Sequence, residues 1–265
     1  MRIVHCVQGE SDWFQEHLGR VTASRASAVM DFTQKGVEGS TRRLYRLEKV
    51  AELLIQIGGA PNYLSAPMLA GTAAEPLART AYELEEGVMV QCVGIVIGDD
   101  ERVGWSPDGI ITADDGSVIG AIEVKGPKTT THLQTLDGMK IPEGNLPQLH
   151  FAFMVCPTLQ WIDFISRDGG MCEDKHVIAE AKAAGNDLRI LPLRYAQVTI
   201  RLNRSECEAQ IAKMLLDADK FLADVDATVE RIKSICPELP APEKKLPSAL
   251  EGFLSDEDLD RKSVV

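Results

Sequence analysis

One short stretch near the middle of the chain carries the residue types best suited to chemistry. Asp108 is followed fifteen residues later by Glu123 and, two residues on, by Lys125. Side chains alternate between the two faces of a β-strand, so Glu123 and Lys125 would share one face. A tight hairpin would return Asp108 beside Glu123. Two carboxylates that offer only oxygen donors suit Mg²⁺ or Mn²⁺ better than zinc.

This set of residues is suited to the hydrolysis of a phosphodiester. A metal ion held by Asp108 and Glu123, with the Val124 carbonyl as a further oxygen ligand, would polarise the phosphate and lower the pKa of a bound water. Lys125 would direct that water and offset the charge that develops at phosphorus. A cross-strand ion pair on an exposed hairpin is the alternative explanation of Glu-x-Lys. The Pro-Asp before the hairpin and the Gly-Pro after it favour catalysis.

The elements that must position these residues follow from the hydrophobic pattern. Helices are expected after Ser11, after Thr22-Ala23-Ser24, from Ser40-Thr41 to Gly58-Gly59, from Thr72 to Glu86, and over 129–138 and 146–155. The helix after Ser40 carries its apolar residues on one face (Leu44, Leu47, Ala51, Leu54 and Ile55). Strands are expected over 88–97, 103–111 and 118–125 as an antiparallel meander, and over 159–166 and 191–202. The order predicts an α/β (α+β) fold with a mixed central sheet flanked by helices.

We expect one domain over residues 1–236, with a core at about 8–202 and a C-terminal helix at about 203–236. Ser205-Glu206-Cys207-Glu208 is a capping-box pattern, and apolar residues recur in steps of four and three from Ile211 to Ile232. This seam either packs on the core or joins another subunit. Residues 237–265 are rich in proline and acidic residues and are expected to form a flexible tail.

Composition limits the class of protein. The formal charge of −12 over 265 residues argues against strong nonspecific binding to nucleic acid. Between Arg20 and Lys49, however, seven basic residues face three acidic ones, a local patch of about +4 that either meets DNA or forms a solvated helix face. No apolar run reaches the roughly 20 residues that span a bilayer, and the N-terminus lacks a signal-peptide pattern, so we expect a cytoplasmic protein. Six scattered cysteines without a Cys-x-x-Cys pair indicate reduced thiols.

The ordered motifs resemble those of the PD-(D/E)xK nuclease superfamily, and more closely those of the lambda exonuclease or YqaJ-like viral recombinase family. The central match is Ser106-Pro107-Asp108-Gly109 followed by Glu123-Val124-Lys125-Gly126-Pro127. Further matches are Trp13 with residues 19–24, Gly71-Thr72-Ala73-Ala74-Glu75 with Ala78 and Tyr82, Pro147-Gln148-Leu149-His150, and Trp161-Ile162-Asp163-Phe164. The resemblance covers roughly residues 8 to 168.

The resemblance implies a restriction-endonuclease-like core and a Mg²⁺- or Mn²⁺-dependent deoxyribonuclease, with two metal ions, that digests one strand of linear duplex DNA in the 5′→3′ direction. By analogy Asp108, Glu123 and the Val124 carbonyl bind metal and Lys125 is the catalytic lysine. The products would be 3′ single-stranded overhangs for recombination of the phage type. The implied partners are double-stranded DNA ends, a single-strand annealing protein and further copies of the chain in a trimeric ring, with a phage or prophage origin and no membrane.

Four more residues acquire roles by the same analogy. Glu75 would be an additional acidic ligand, although Thr72-Ala73-Ala74-Glu75 also matches a capping box. Gln148 would support the site from its helix, or be a polar residue near a buried face. His150 stands where the family often has a second glutamine. Arg20 and Ser24 would bind a 5′-phosphate at a helix N-terminus, or be an ordinary surface arginine and a helix cap.

Two other functions compete with the exonuclease. An endonuclease of the restriction or repair type would use the same residues but would cut internally. A non-catalytic DNA-binding module on the same fold would not need the acidic site, and the intact set of Asp108, Glu123 and Lys125 speaks against it.

Overall fold

The computed structural model describes residues 1–56, 66–169, 183 and 191–236, with the backbone alone for 66–74 and 193. The helices are α1 (Ser11–His17), α2 (Ala26–Val29), α3 (Ser40–Ile55), α4 (Ala66–Glu86), α5 (Thr129–Gly138), α6 (Leu146–Val155) and α7 (Glu208–Ile235). The strands are β1 (Arg2–Val4), β2 (Val21–Thr22), β3 (Ile95–Ile97), β4 (Val103–Trp105), β5 (Gly109–Thr112), β6 (Val118–Lys125), β7 (Trp161–Arg167) and β8 (Gln197–Asn203). Short 3₁₀ turns lie at Ala23–Arg25, Glu143–Asn145, Leu193–Tyr195 and Arg204–Glu206.

The chain divides into two compact units, Met1–Asp226 and Ala227–Val265. Of the second unit the structure describes residues 227–236, which hold the end of α7. The expected flexible tail at 237–265 lies outside the described residues. In the described part of the chain, no helix is both long and apolar enough to cross a membrane. Five cysteines are free thiols, and Cys172 lies outside the described residues.

Two four-stranded mixed sheets form the framework, in the orders β1-β3-β4-β2 and β5-β6-β7-β8. The pairs β2–β4 and β6–β7 are parallel and the other neighbouring pairs are antiparallel. Helix α4 packs on β6 and β7, α5 packs on β7, and α6 packs on β4. The predicted α/β class with mixed β-structure flanked by helices is therefore confirmed, although the strands form two sheets.

The prediction of one continuous strand over 103–111 is wrong, because the structure has two strands there, β4 and β5. The chain leaves the first sheet after Trp105 and enters the second at Gly109, so Ser106-Pro107-Asp108 crosses between the sheets. Pro107 has no N–H to donate to a ladder, which explains the break. The strand expected over 88–97 is shortened to Ile95–Ile97, and a single bridge from Gln91 to Ile110 continues toward the second sheet. The predicted hairpin between β5 and β6 is confirmed.

An apolar cluster beneath the second sheet sets the orientation of β6. Ile122 and Val124 of β6 pack with Ala78 and Tyr82 of α4, together with Ile111 and Ile165. These two β6 residues therefore point into the core, as predicted. Because side chains alternate along a strand, Glu123 and Lys125 are turned to the opposite face.

Several predicted helix starts are wrong. Ser11 is the first helical residue and Glu10 is the cap, without a side-chain hydrogen bond. Thr72 lies inside α4, which begins at Ala66. The capping box before α7 is made by Asn203 and Glu206, rather than by Ser205 and Glu208. Gly58-Gly59, expected to end α3, lies outside the described residues; α3 ends at Ile55, and Gln56 is left-handed.

Helix α3 differs from its predicted buried face, whereas helix α7 agrees with its predicted seam at most positions. In α3 the apolar stripe that includes Leu44, Leu54 and Ile55 is exposed, whereas Arg42 and Lys49 are buried. The fold satisfies these buried charges with carboxylates, which the apolar pattern could not reveal. In α7 the seam is largely confirmed within the first unit, because Ile211, Ala218, Leu222 and Val225 are buried in their own chain, although Leu215 is 50% exposed.

Candidate active site

The β5–β6 hairpin brings Asp108 and Glu123 together. Gly109 pairs with Ile122, so Asp108 lies next to Glu123 at the end of the ladder. The backbone N–H of Val124 donates to Oδ2 of Asp108 at 2.6 Å. The geometric prediction from the fifteen-residue spacing is thus confirmed, whereas the roles of these residues stay predictions.

Glu123, Lys125 and Gln148 form a closed triangle of hydrogen bonds. Oε1 of Glu123 accepts from Nζ of Lys125 and from Nε2 of Gln148, each at 2.6 Å. Nζ of Lys125 also donates to Oε1 of Gln148 at 3.2 Å. Gln148 lies in the first turn of α6, which places its amide between the two charged groups. This geometry favours a supporting role for Gln148 over that of an unengaged polar residue.

The second oxygen of Glu123 is left without a partner. The side chain is 3% exposed, and its Oε2 has no hydrogen-bond partner among the described residues. A buried carboxylate oxygen without a partner costs free energy, so native proteins rarely keep one. An oxygen-binding cation would satisfy it.

Glu75 takes part in the same electrostatic cluster. It lies in the interior of α4, so it cannot be the third residue of a capping box at Thr72. Burial raises the pKa of Glu75, Arg79 opposes that rise, and the charge of Glu123 adds to it. Glu75 and Asp108 line one cavity of 470 Å³. The capping explanation of Glu75 is therefore removed, and the acidic-ligand explanation remains as a proposal.

The pKa of the Asp108 carboxylate is raised by its surroundings. Burial raises the pKa of Asp108 well above its usual range, and the charges of Glu123 and Glu75 raise it further, while the Val124 N–H opposes them. Burial lowers the pKa of Lys125, but the neighbouring Glu123 outweighs this and the net change is upward. Lys125 is thus an ammonium among three acidic groups, and a second cation would relieve the remaining repulsion.

The donors present fit a magnesium or manganese ion. Among the described residues, no three His, Cys, Asp or Glu side chains lie close enough to hold a metal by themselves. A metal site here would therefore combine Asp108 and Glu123 with the backbone carbonyl of Val124. All of these are hard oxygen donors, and the partnerless Oε2 of Glu123 lies among them.

Contacts that the sequence did not indicate hold the crossing segment in place. Arg79 donates through Nη1 to the backbone oxygen of Asp108 at 3.0 Å. Gln8 donates to the backbone oxygen of Pro107 at 2.9 Å, and Trp13 donates to Oγ of Ser106 at 3.0 Å. Arg79 could have been found, since it lies four residues after Glu75 on one helix face. No sequence pattern around Gln8 indicates its contact with Pro107.

The structure places Arg20 and Ser24 in separate contacts. The guanidinium of Arg20 donates to the backbone oxygens of Glu101 at 2.8 Å and Glu16 at 2.6 Å. Oγ of Ser24 lies 3.4 Å from Oγ1 of Thr22, and the helix that follows has four residues. The predicted anion pocket of Arg20 and Ser24 is therefore not assembled between these two side chains.

His150 lies two residues after Gln148 on α6. It is half-buried, and burial lowers the pKa of its imidazole.

The DNA-facing explanation of the basic patch is weakened, because Arg42, Arg46 and Lys49, three of its seven residues, form ion pairs within the fold. Arg42 is 1% exposed and pairs with Glu38 at 2.7 Å and Asp224 at 2.8 Å. Arg46 also pairs with Glu38, and Lys49 pairs with its neighbour on α3. These charges are neutralised inside the fold and do not form an open positive surface.

Comparison with known proteins places this site in a family. The profile of the YqaJ-like viral recombinase domain matches residues 12–156, more than half of the chain. Two crystal structures of LHK-Exo, one of an alkaline exonuclease from Laribacter hongkongensis and one in complex with dAMP, are 29% and 28% identical. Each comparison covers 86% of this chain and 98% of the other, with a TM-score of 0.67. No curated protein matches.

A more distant structure supports the fold alone. A phage-related exonuclease from Haemophilus somnus 129PT is 12% identical over 79% of this chain and 96% of its own, with a TM-score of 0.54. The matched region of the profile includes Glu75, Asp108, Glu123, Lys125 and Gln148. The chain is a nuclease of the PD-(D/E)xK fold and belongs to the YqaJ-like viral recombinase family.

Proposed function

We propose that this protein is a Mg²⁺- or Mn²⁺-dependent exonuclease that digests one strand of linear duplex DNA in the 5′→3′ direction and leaves 3′ overhangs. The observation that carries the proposal is the partnerless, buried Oε2 of Glu123 beside Asp108, while the other oxygen, Oε1, accepts from Lys125. The similarity to LHK-Exo, an exonuclease observed with dAMP, supports action at an end and release of nucleoside monophosphates.

Each residue has a distinct part in this proposal. Asp108, Glu123 and the Val124 carbonyl would hold two metal ions, with Glu75 as a further acidic ligand. When bound, the metal supplies Lewis acidity toward the phosphate and a more acidic water. Lys125, an ammonium held by Glu123, offsets negative charge as it grows on the phosphate.

Gln148 has a positioning part in the same proposal. Its amide bridges Glu123 and Lys125 from the start of α6. This arrangement fixes both charged groups before the substrate arrives, which is the electrostatic preorganisation that hydrolytic sites need.

We further propose the biological setting that the family suggests. The substrate is a double-stranded DNA end, and the enzyme acts in the cytoplasm of a bacterial host, encoded by a phage or prophage, beside a single-strand annealing protein. A processive enzyme benefits from encircling its product, which supports a homo-oligomeric ring, with a trimer expected. Light scattering that reports a monomer at working concentration would refute the ring.

The 5′-phosphate contact of Arg20 and Ser24 stays a proposal, and the contacts of Arg20 with Glu16 and Glu101 count against it. Comparing initial rates on 5′-phosphorylated and 5′-hydroxyl ends tests it. A lower preference for phosphate in Arg20→Ala supports the pocket, and an unchanged preference rejects it.

A time course on linear duplex labelled at one 5′ or one 3′ end tests the proposed function directly. With Mg²⁺ we expect early release of the 5′ label as a mononucleotide and progressive shortening of the 3′-labelled strand, and with EDTA we expect neither change. A covalently closed circular duplex separates an endonuclease, which would cut it, from an exonuclease, which cannot begin without an end. Metal-dependent binding without cleavage of either substrate would indicate a non-catalytic module.

A further inference from the structure

Arg79 is a positively charged residue in the wall of the cavity beside the candidate metal site. It follows Glu75 by one turn of α4, so the two side chains share a face of that helix. Together with Asp108 and Gln8 they line the 470 Å³ cavity. Arg79 is half-buried. The cavity therefore has acidic groups on the metal side and one guanidinium close to them.

The guanidinium of Arg79 is anchored but only partly used. Its Nη1 donates to the backbone oxygen of Asp108 at 3.0 Å. Arginine has five N–H donors in a planar fork, and within the described part of the chain Arg79 makes no second hydrogen bond and no ion pair. By contrast, Arg42 and Arg201 are each bound to carboxylates. Arg79 thus keeps donors for a ligand.

We propose that Arg79 binds a phosphate of the DNA strand in this cavity, next to the scissile linkage, while its Nη1 holds the backbone of Asp108. This inference rests on the proposed nuclease function. The carboxylates at the site repel a phosphate, and the guanidinium in the cavity wall offsets part of that repulsion on the substrate side. The planar fork of arginine suits two oxygens of one phosphodiester.

The contact between Arg79 and the backbone of Asp108 would also link substrate binding to the position of Asp108. The same guanidinium contacts the substrate and the residue that follows Pro107, so arrival of the strand and the position of Asp108 are linked. A purely structural Arg79 would hold Asp108 equally well in the presence of any substrate. Only a phosphate-binding Arg79 responds to the charge of one particular linkage.

Binding of duplexes with a single neutral methylphosphonate tests this difference. Each duplex carries the substitution at one of the first linkages of the recessed strand. Fluorescence anisotropy in Ca²⁺ measures the Kd of each duplex for three proteins: wild type, Arg79→Ala and Arg79→Lys. For wild type, we expect one linkage whose neutralisation weakens binding by about tenfold, the effect of losing one charge-assisted pair. In Arg79→Ala that linkage should cause little further loss, a coupling of at least about fivefold.

The controls separate this outcome from misfolding and from failure of the proposed function. Arg102→Ala removes an arginine that pairs with Asp226 instead, and it should show the wild-type pattern. Arg79→Lys keeps the charge without the fork, so it should retain part of the coupling if Arg79→Ala is unstable. Equal losses in wild type and Arg79→Ala at every linkage overturn the role of Arg79. Wild type that neither binds nor cleaves DNA ends overturns the nuclease function as well.

Discussion

Neutralising Asp108 should make the metal-free protein more stable while it abolishes cleavage. The carboxylate is half-buried and lies near Glu123 and Glu75; burial and these neighbouring charges raise its pKa well above the usual range. In Asp108→Asn the amide oxygen can still accept the Val124 N–H, so the hairpin contact of 2.6 Å is kept. Only the charge is lost. A gain in stability together with a loss of function is the expected mark of a site built for a ligand.

The size of the effect follows first from the burial of the Asp108 carboxylate and then from the neighbouring like charges. Removing one charge from a buried acidic group is worth on the order of 1–3 kcal/mol. For a chain of this length that corresponds to a rise in Tm of about 3–10 °C. Because the folded-state pKa is raised, the ionised carboxylate destabilises the fold at any pH above its unfolded-state pKa of about 4. The Tm difference should therefore be absent below about pH 4, grow as the pH rises toward the folded-state pKa, and then stay constant.

Differential scanning calorimetry of both proteins in EDTA, from pH 4 to pH 8, measures this difference. Asp115→Asn is the matched control in the same hairpin, because hydrogen bonds from Ser117 lower the pKa of Asp115 and neutralisation should act in the opposite direction. Adding Mg²⁺ or Mn²⁺ should raise the Tm of wild type by mass action and leave Asp108→Asn nearly unchanged. The reasoning would be refuted if Asp108→Asn were less stable than wild type at neutral pH, or if the difference in Tm between the two proteins did not change with pH.

Three further predictions concern other residues of the site and its support. Glu123→Ala should abolish both cleavage and the Tm shift caused by Mn²⁺, whereas Lys125→Ala should abolish cleavage and keep that shift; the same calorimetry with a duplex assay decides. Gln148→Ala should lower turnover by about 10- to 100-fold, the range of a supporting contact near a metal site, and comparable turnover in the variant and in wild type would remove its positioning role. Arg201→Ala removes two hydrogen bonds to Asp163, at 2.8 and 2.6 Å, and leaves the one from Tyr82; because Arg201 is itself 45% exposed, we expect about 1–3 kcal/mol lower stability in urea unfolding, and a loss below about 0.5 kcal/mol would contradict it.

The local geometry of the site could be predicted because it depends on short-range rules. Alternation along β6 places Glu123 and Lys125 on one face, and the turn at 113–116 sets the register that brings Asp108 back. Helices α5 and α6 have the predicted bounds because their apolar residues and flanking loops are unambiguous. In each case the deciding information lies within about twenty residues of sequence.

The features that were missed depend on contacts between distant segments. The charge count from Arg20 to Lys49 indicated a positive patch, yet Arg42 is neutralised in part by Asp224, 182 residues away. The outward apolar stripe of α3 follows from the same burial of charged residues. The crossing from one sheet to the other is visible locally only as Pro107, which predicts a break but not its direction.

The crossing segment also explains how an unfavourable site can persist in a stable fold. Repulsion among Asp108, Glu123 and Glu75 acts to move Asp108 away from β6. The backbone around it is held by Arg79 on one side and by Gln8 on the other, at 3.0 and 2.9 Å. Because these contacts hold main-chain atoms, they fix the carboxylate without neutralising it. Support from outside the acidic cluster therefore lets the half-buried Asp108 stay in place and available to a cation, which a direct salt bridge to its side chain would prevent.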